Sequence, residues 1–196
     1  MAVASRPLPA EAPPALAAVI RETERLGFTL ASEPETGALL RTLAVGRPGG
    51  RLLEIGTGTG IATAWLLDGM DVAARQVSID IDATISAVAA RQRGDDPRLT
   101  LVVEDAEAWL HKDGHGRFDL IFADAIPGKY QAFEAAWRLL ATGGFYVVDD
   151  MLPQPDWPED HVARAAALLD HLRARPNCRL VHLDWSGGIV IAARTG

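Results

Sequence analysis

The feature that most constrains the fold of this chain is the alternation of short apolar runs with segments of helical spacing. Five runs between residues 51 and 150 are apolar at nearly every position. They are RLLEI, RQVSID, LTLVVE, FDLIFAD and GFYVVDD, which begin at residues 51, 75, 99, 118 and 144. Helices are predicted between them at about 60–68, 82–93, 105–112 and 129–141. Buried strands joined by helices indicate a parallel sheet that is covered on both faces.

The end of the chain departs from this pattern. A Pro-rich loop, MLPQPDWPED, precedes a helix that is predicted to reach about residue 174. Two strand-like runs follow, CRLVHLDW and GIVIAAR, and only SGG separates them. So short a connection joins antiparallel strands, and we therefore expect a hairpin to close the sheet.

The segment before the first strand is predicted to be helical. Residues 15–26 have amphipathic spacing, and in SEPETGALLRTLAV the side chain of Ser32 is placed to cap a second helix. The prediction is one α/β domain with a doubly wound, mostly parallel, seven-stranded sheet that ends in an antiparallel hairpin. Its parts are a flexible N-terminal arm over 1–14 and a single domain over 15–196, divided into N-terminal helices (15–50) and a core (51–196).

Composition excludes several classes of protein. The chain has 196 residues, 48% of them hydrophobic, which is enough for one sizeable core. Its net charge of -7 disfavours a nucleic acid as partner, because phosphate-binding proteins carry a basic excess. Cys178 is the single cysteine, so no intramolecular disulfide can form. No apolar run reaches the ~18 residues of a membrane span, and prolines interrupt the first residues, so a cytoplasmic location is expected.

A glycine-rich loop follows the first strand and opens the next helix. In EIGTGTG, Gly56, Gly58 and Gly60 let a ligand or a helix come close to the backbone at the carboxyl end of the sheet. The nicotinamide fingerprint would require Gly or Ala where Ile61 stands. Glu54 would repel a pyrophosphate but suits an ammonium or sulfonium group. A nicotinamide-dependent oxidoreductase is therefore disfavoured.

Acidic residues also end the second and third strands. Asp80 is placed to accept hydrogen bonds from the two hydroxyls of a ribose, and Asp105 lies where an adenine amino group would be. The alternative is that Asp82 and Asp105 only cap the helices that they precede. Three successive strand ends with a carboxylate, around one glycine loop, favour a nucleoside ligand.

These motifs resemble the class I S-adenosylmethionine-dependent methyltransferases from about residue 30 onward, and LLEIGTGTG is the most specific piece. The resemblance implies a Rossmann-like methyltransferase fold with S-adenosylmethionine as cofactor. It implies that the loop from Glu54 to Gly60 holds the methionine end, Asp80 the ribose, and Asp105 with Ala106 the adenine. The cofactor-binding residues that it implies are Glu54, Gly56, Thr57, Gly58, Gly60, Asp80, Ile81, Asp105, Ala106 and Asp124.

Three further carboxylates lie at the same edge of the predicted sheet. Asp124 ends the fourth strand, and Asp149 and Asp150 end the fifth. Neighbouring carboxylates repel one another unless a cation offsets their charge, and oxygen ligands suit Mg²⁺ or Ca²⁺. The alternative is that Asp149 and Asp150 begin a solvated loop.

The same segments resemble the small cation-dependent O-methyltransferases of the catechol and caffeoyl-CoA type. The resemblance implies that Asp124, Asp149 and Asp150 bind a divalent metal, which would lower the pKa of a phenol. Two departures stand out: the family has Asn where Asp150 stands, and a lysine base where Pro127 stands. Lys129 follows two residues later, as a replacement for that base or as a surface residue.

The function predicted is methyl transfer from S-adenosylmethionine to a hydroxyl of a small, aromatic acceptor with help from a divalent cation. Lys129 and Asp124 are the predicted catalytic residues. His161 either faces the acceptor or is a capping or solvated residue, and Trp157 is either a wall of the acceptor site or a loop anchor. The alternatives are a metal-independent methyltransferase and a non-catalytic S-adenosylmethionine-binding module. Many relatives in the family are dimers, so the resemblance also suggests a homodimer.

Overall fold

A computed structural model describes residues 11–153, 158 and 160–196. Most of the predicted N-terminal arm, residues 1–10, and Trp157 lie outside the described residues. Within the described residues, no helix is long and apolar enough to cross a membrane.

The order of elements follows the sequence pattern closely. The helices are α1 (Leu16–Leu26), α2 (Pro34–Val45), α3 (Ile61–Gly69), α4 (Ala83–Arg93), α5 (Ala106–Leu110), α6 (Ile126–Lys129), α7 (Phe133–Leu139) and α8 (His161–Ala174). The strands are β1 (Arg51–Ile55), β2 (Arg75–Asp80), β3 (Leu99–Val103), β4 (Phe118–Ala123), β5 (Leu140–Val148), β6 (Cys178–Leu183) and β7 (Ile189–Arg194).

The strands form one sheet of seven in the order β3-β2-β1-β4-β5-β7-β6. The pairs from β3 to β5 are parallel, and β7 is antiparallel to both β5 and β6. The predicted class, strand number and terminal hairpin are confirmed. From β1 the strand order runs outward to β2 and β3 on one side and to β4 and β5 on the other, so the topological switch point lies between β1 and β4. Open α/β sheets bind their ligands at this point.

Successive residues of β1 pack on opposite faces of the sheet. Leu53 belongs to the cluster beneath α5, α7 and α8, whereas Leu52 packs with Leu40 of α2 and Leu66 of α3. This follows from the two-residue period of a strand, which requires apolar side chains at every position when both faces are covered. Trp65 extends the core to α1. The result is a rigid edge on which the loops after β1, β2, β4 and β5 lie.

Two predictions about local structure were wrong. The cap of α2 is Glu33 and not Ser32, because Pro34 is the first helical residue and its fixed φ suits that position. The helix predicted over 129–141 is interrupted at Ala132, which has φ 51°, so that α7 runs only from Phe133 to Leu139 and β5 already begins at Leu140. The interruption turns residues 126–132 into a compact loop that faces the end of β1.

Candidate active site

The glycine loop combines left-handed backbone with close packing. Gly56, Gly58 and Gly60 have φ values of 101°, 53° and 93°. A Cβ on Gly56 would lie 2.9 Å from the carbonyl oxygen of Asp124, and one on Gly60 would lie 2.7 Å from the Cβ of Ala89. The loop therefore needs glycine for its own conformation and for its contacts with β4 and α4.

Several backbone amides of this loop are already bonded within the protein. Gly56 and Thr57 both donate to the carbonyl oxygen of Ile79, at 2.9 and 3.1 Å. Gly58 donates to Asp80 Oδ2 at 2.7 Å, and Gly60 donates to the carbonyl oxygen of Thr57 at 2.9 Å. Amides used in this way do not cradle a phosphate, in agreement with the prediction against a dinucleotide.

Glu54 lies fully buried under the loop, at the centre of a polar cluster. Its Oε2 accepts hydrogen bonds from Thr63 Oγ1 (2.6 Å), Gln76 Nε2 (2.9 Å) and Ser78 Oγ (2.6 Å). Its Oε1 is buried without a partner among the described residues. Desolvation outweighs the three hydrogen bonds and raises the pKa of Glu54 to about 7. A direct contact between Glu54 and a cofactor stays a prediction, since the geometry shows a carboxyl that supports the loop from below.

Asp80 connects the end of β2 to the loop. Its two oxygens accept hydrogen bonds from the backbone amides of Gly58 (2.7 Å) and Asp82 (2.8 Å). It also lines a cavity at this edge of the sheet. Asp80 is thus held in a fixed orientation beside the loop, and its contact with a ribose stays a prediction.

The predicted adenine residues lie away from this cavity. Asp105 Oδ1 accepts from the amide of Ala108 at 3.1 Å and caps α5, and Asp82 likewise caps α4. Both residues therefore cap helices, as the alternative predicted. Ile81 is 70% exposed beside them and Ala106 is buried. Contact of Asp105, Ala106 or Ile81 with a cofactor stays a prediction.

The cavity has a volume of about 450 Å³ and lies between the glycine loop, the loop after β4 and the segment that joins α1 to α2. Phe28 of that segment approaches Gly58, since a Cβ on Gly58 would lie 3.3 Å from its ring. Ser32 of the same segment donates to Asp124 Oδ2 at 3.0 Å. The segment between α1 and α2 therefore covers the cavity, and it contacts both the glycine loop and the end of β4.

Asp124 and Asp150 line the cavity, and Asp149 is buried next to Asp150. Burial raises the pKa of Asp124 to about 7, against the nearby charge of Lys129, which lowers it. Burial, with the charges of Asp124 and Asp150, raises the pKa of Asp149 well above its ordinary value. Burial also raises the pKa of Asp150, which has a left-handed backbone with φ 57°. All three carboxyls thus hold protons more tightly than free aspartates do.

The arrangement does not fit a divalent cation held by these three side chains. In the part of the chain that the structure describes, no three His, Cys, Asp or Glu side chains form a group that could hold a metal ion. One oxygen of Asp124 is bonded to Ser32, and Asp149 Oδ1 accepts from the amide of Asp150 at 2.7 Å. The carboxylates are near neighbours, but they do not converge on a common point.

Lys129 lies among these carboxylates and lines the cavity. Its residue is only 5% exposed, so the interpretation as a surface residue is wrong. Its charge lowers the pKa of Asp124, Asp149 and Asp150. The Lys129 ammonium therefore supplies a positive charge next to the aspartates from the protein itself.

Tyr130 and His161 form the remaining wall. The Nε2 of His161 donates to the carbonyl oxygen of Asp150 at 3.0 Å, and Tyr130 Oη lies 3.2 Å from the same nitrogen. Burial lowers the pKa of His161 and raises that of Tyr130 to about 12. His161 lines the cavity, and whether it contacts an acceptor stays a prediction.

Comparison with known proteins decides the family. A family model described as a methyltransferase domain matches residues 53–151, which is just over half of the chain. The chain belongs to this methyltransferase-domain family. The match begins inside β1 and ends just after β5, so it contains the glycine loop, Asp124, Asp149 and Asp150.

Curated relatives of this methyltransferase-domain protein are named as O-methyltransferases. A putative O-methyltransferase of Mycolicibacterium smegmatis is 34% identical over 120 residues, which are 59% of this chain and 57% of the relative. A probable O-methyltransferase of Mycobacterium tuberculosis is 35% identical over 120 residues, covering 59% of this chain and 54% of the relative. The chain thus spans little more than half the length of these curated relatives.

Solved structures share the fold over nearly the whole chain. The O-methyltransferase TomG of Streptomyces achromogenes, in complex with S-adenosylmethionine, has a TM-score of 0.80 at 26% identity and covers 93% of this chain and 90% of its own. A putative caffeoyl-CoA O-methyltransferase of Staphylococcus aureus has a TM-score of 0.75 at 16% identity, with 91% of each chain covered, and shows the fold alone. The resemblance to class I S-adenosylmethionine-dependent methyltransferases and to O-methyltransferases, including the caffeoyl-CoA type in fold, is confirmed.

Several residues of this methyltransferase-domain site were missed from the sequence. Ser78 is a polar residue inside the apolar run of β2, and in the parallel register it lies beside Glu54 of β1. That interruption of an apolar run is a signal that sequence reasoning could have used. Ser32, Phe28 and Arg164 also line the cavity but come from distant segments, and no local pattern marks them.

Proposed function

We propose that this protein transfers the methyl group of S-adenosylmethionine to a hydroxyl of a small, aromatic acceptor. The observation that carries the proposal is one cavity whose wall contains the glycine loop and Asp80 at one end and Asp124, Lys129 and Tyr130 at the other. The names of the curated relatives and the cofactor-bound structure of TomG support the same chemistry.

The cofactor occupies the half of the cavity at the β1 and β2 ends. Asp80 receives the ribose hydroxyls, and the turn from Gly56 to Gly60 receives the methionine moiety. Glu54 places a carboxyl beneath that turn, which favours the positive charges of the amino and sulfonium groups. The sulfonium methyl group then points toward the carboxylate end of the cavity.

Acceptor chemistry occurs beside Asp124. The acceptor hydroxyl gives its proton to the carboxylate of Asp124, whose pKa of about 7 suits a general base at neutral pH. The oxygen forms a bond to the methyl carbon while the carbon–sulfur bond breaks and its electron pair stays on sulfur. The products are a methyl ether and S-adenosylhomocysteine, and the protein contributes through positioning and charge.

The acceptor has room beyond the aspartates. A second cavity of about 470 Å³ adjoins the first, because Lys129, Tyr130 and Arg164 line both. Phe133 and Leu168 contribute apolar walls to it. A flat aromatic ring fits such a lining, with its hydroxyl directed toward Asp124.

A divalent cation bound by Asp124, Asp149 and Asp150 was the finer prediction from the sequence. We leave it out of the proposed reaction, because the three carboxylates do not converge in the described structure and Lys129 already supplies a positive charge there. Metal-independent transfer, the alternative from the sequence, is the form that this arrangement favours. A cytoplasmic location and a homodimer stay predictions.

Two measurements on the full chain test the proposal. Isothermal titration calorimetry with S-adenosylmethionine should show binding in the micromolar range, with Asp80→Ala as the variant that loses it. A panel of catechol-like acceptors, incubated with EDTA, should then release S-adenosylhomocysteine. Binding without release from any acceptor would favour the non-catalytic module. Absence of binding to the wild type would reject the proposal.

A further inference from the structure

The acceptor end of the cavity carries an excess of buried negative charge. Asp149 is 3% exposed, Asp124 and Asp150 line the cavity, and Glu54 lies fully buried behind them. The nearby cation Arg164 is in an ion pair with Asp160. Burial of several carboxylates is unfavourable unless a positive charge lies close to them.

Lys129 is the cation in the midst of these groups. Only 5% of the Lys129 surface is exposed. Its Nζ nevertheless makes no hydrogen bond, and no ion pair within 4.0 Å, with any residue in the described ranges. Its charge nevertheless acts on the three aspartates and on His161. Its Nζ lies 5.8 Å from the ring centroid of Tyr130, which also lines the cavity. The ammonium is therefore close to the cavity without an ion-pair partner, and its charge is available to a bound group.

The backbone around Lys129 is held rigidly. The buried hydroxyl of Tyr146 donates to the carbonyl oxygen of Gly128, and the amide of Gly128 donates to the carbonyl oxygen of Gln131 at 2.7 Å. A Cβ on Gly128 would lie 2.6 Å from Ile55 Cδ1, so this loop packs directly on the end of β1. The position of Lys129 is therefore built into the fold and does not depend on a bound ligand.

We propose that the Lys129 ammonium is the resident cation of this active site and takes the place that a divalent metal occupies in the cation-dependent O-methyltransferases that the chain resembles. It offsets the charge of Asp124, Asp149 and Asp150, and it stabilises the negative charge that develops on the acceptor oxygen during methyl transfer. The second of these roles rests on the proposed function, whereas the first does not.

A lysine at position 129 suits the role of a fixed cation beside the aspartates. The chain has only two lysines, Lys112 and Lys129, among 19 basic residues. Lys112 is an exposed residue paired with Glu104. A lysine ammonium is a compact point charge, closer to a metal ion than the flat guanidinium of arginine. An ammonium and a divalent metal would compete for the same carboxylates, so the structure predicts that one excludes the other.

A metal-binding experiment tests this exclusion without any acceptor. Mn²⁺ is titrated into the full chain and the free ion is followed by electron paramagnetic resonance. We expect the wild type and the matched surface control Lys112→Met to leave Mn²⁺ free at millimolar concentration. Lys129→Met should bind it at least about tenfold more tightly, because the carboxylates then lack a counter-charge and their side chains can turn toward a shared ion. Lys129→Arg keeps the charge and should behave as the wild type.

Several outcomes overturn the proposal. Tight Mn²⁺ binding by the wild type would do so, as would equal and weak binding by the wild type and Lys129→Met. If Lys129→Met is unfolded in the absence of metal, recovery of its folded circular dichroism spectrum on addition of Mn²⁺ supports the proposal, and failure to recover contradicts it. Mn²⁺ binding by the wild type contradicts the proposal in either case.

The catalytic role has a separate readout. With an acceptor that the wild type methylates, EDTA should leave turnover unchanged. Lys129→Met should lower kcat at least about tenfold while the Kd for S-adenosylmethionine, measured by calorimetry, stays the same. Turnover that EDTA abolishes and Mg²⁺ restores would overturn the inference. A wild type that methylates no acceptor would instead reject the proposed function, and the Mn²⁺ results would stand independently.

Discussion

Replacement of Glu54 by glutamine should change the pH dependence of stability in a direction that the structure specifies. Glu54 is fully buried, and its pKa is raised from 4.5 to about 7 because desolvation outweighs its three hydrogen bonds. A carboxyl whose pKa is higher in the folded state adds stability below the unfolded pKa and loses it as pH rises through the folded pKa. Glutamine is neutral at every pH and removes this term.

The size of the effect follows from the same values. A rise in pKa from 4.5 to about 7 corresponds to about 3 kcal/mol in full. Between pH 5.5 and 8.5 the wild type should lose about 2 kcal/mol of unfolding free energy relative to Glu54→Gln. That loss corresponds to about 4–8 °C in melting temperature for a domain of this size. Carboxyls that do not interact with Glu54 are common to both proteins and cancel in the difference. Asp124 cancels only in part, because the charge of Glu54 contributes to raising its pKa, and the remainder has the same sign as the predicted loss.

The assay is urea unfolding followed by tryptophan fluorescence, since Trp65 is fully buried. Unfolding free energies of the wild type, Glu54→Gln and the exposed control Glu24→Gln are compared at several pH values. The control should track the wild type throughout. A difference between the wild type and Glu54→Gln that stays constant within about 0.5 kcal/mol from pH 5.5 to 8.5 would show that Glu54 titrates normally and refute the reasoning.

Three further predictions follow from single contacts. Gly60→Ala should destabilise the protein by at least about 3 kcal/mol, measured by urea unfolding, because its Cβ would lie 2.7 Å from a neighbouring helix; Gly114→Ala, which has a similar φ of 92° but open space, should cost only about 1–2 kcal/mol. Ser32→Ala removes a hydrogen bond that lowers the pKa of Asp124, so the pH at half-maximal kcat/KM should rise by about 0.5–1; an unchanged profile would show that Asp124 is not the base. Asp80→Asn should weaken S-adenosylmethionine binding by about 10–100-fold in calorimetry, and an unchanged Kd would remove Asp80 from the cofactor site.

Some features of the fold follow from local sequence, whereas others depend on contacts between distant residues. The strands and the terminal hairpin could be read from the sequence, because burial on both faces demands apolar runs and a short connection demands an antiparallel pair. The predicted start of β5 was wrong, since the strand begins at Leu140 and not at residue 144. The helix predicted over 129–141 failed, because Ala132 adopts a left-handed conformation that no local preference of alanine predicts. The cap of α2 failed because Pro34 determines where that helix begins.

By itself the sequence determined the α/β fold, the glycine loop and the presence of a carboxylate at the ends of β2, β4 and β5, since each depends on residues that are close in the chain. Only the tertiary structure decided how those carboxylates relate to one another. It brought Ser32 to Asp124 across 92 residues, buried Glu54 beneath the loop with Ser78, and placed the ammonium of Lys129 among three aspartates that do not converge on a metal. Charge, burial and pKa depend on distances in space, and the packing of the segment over 126–132 against β1 sets those distances.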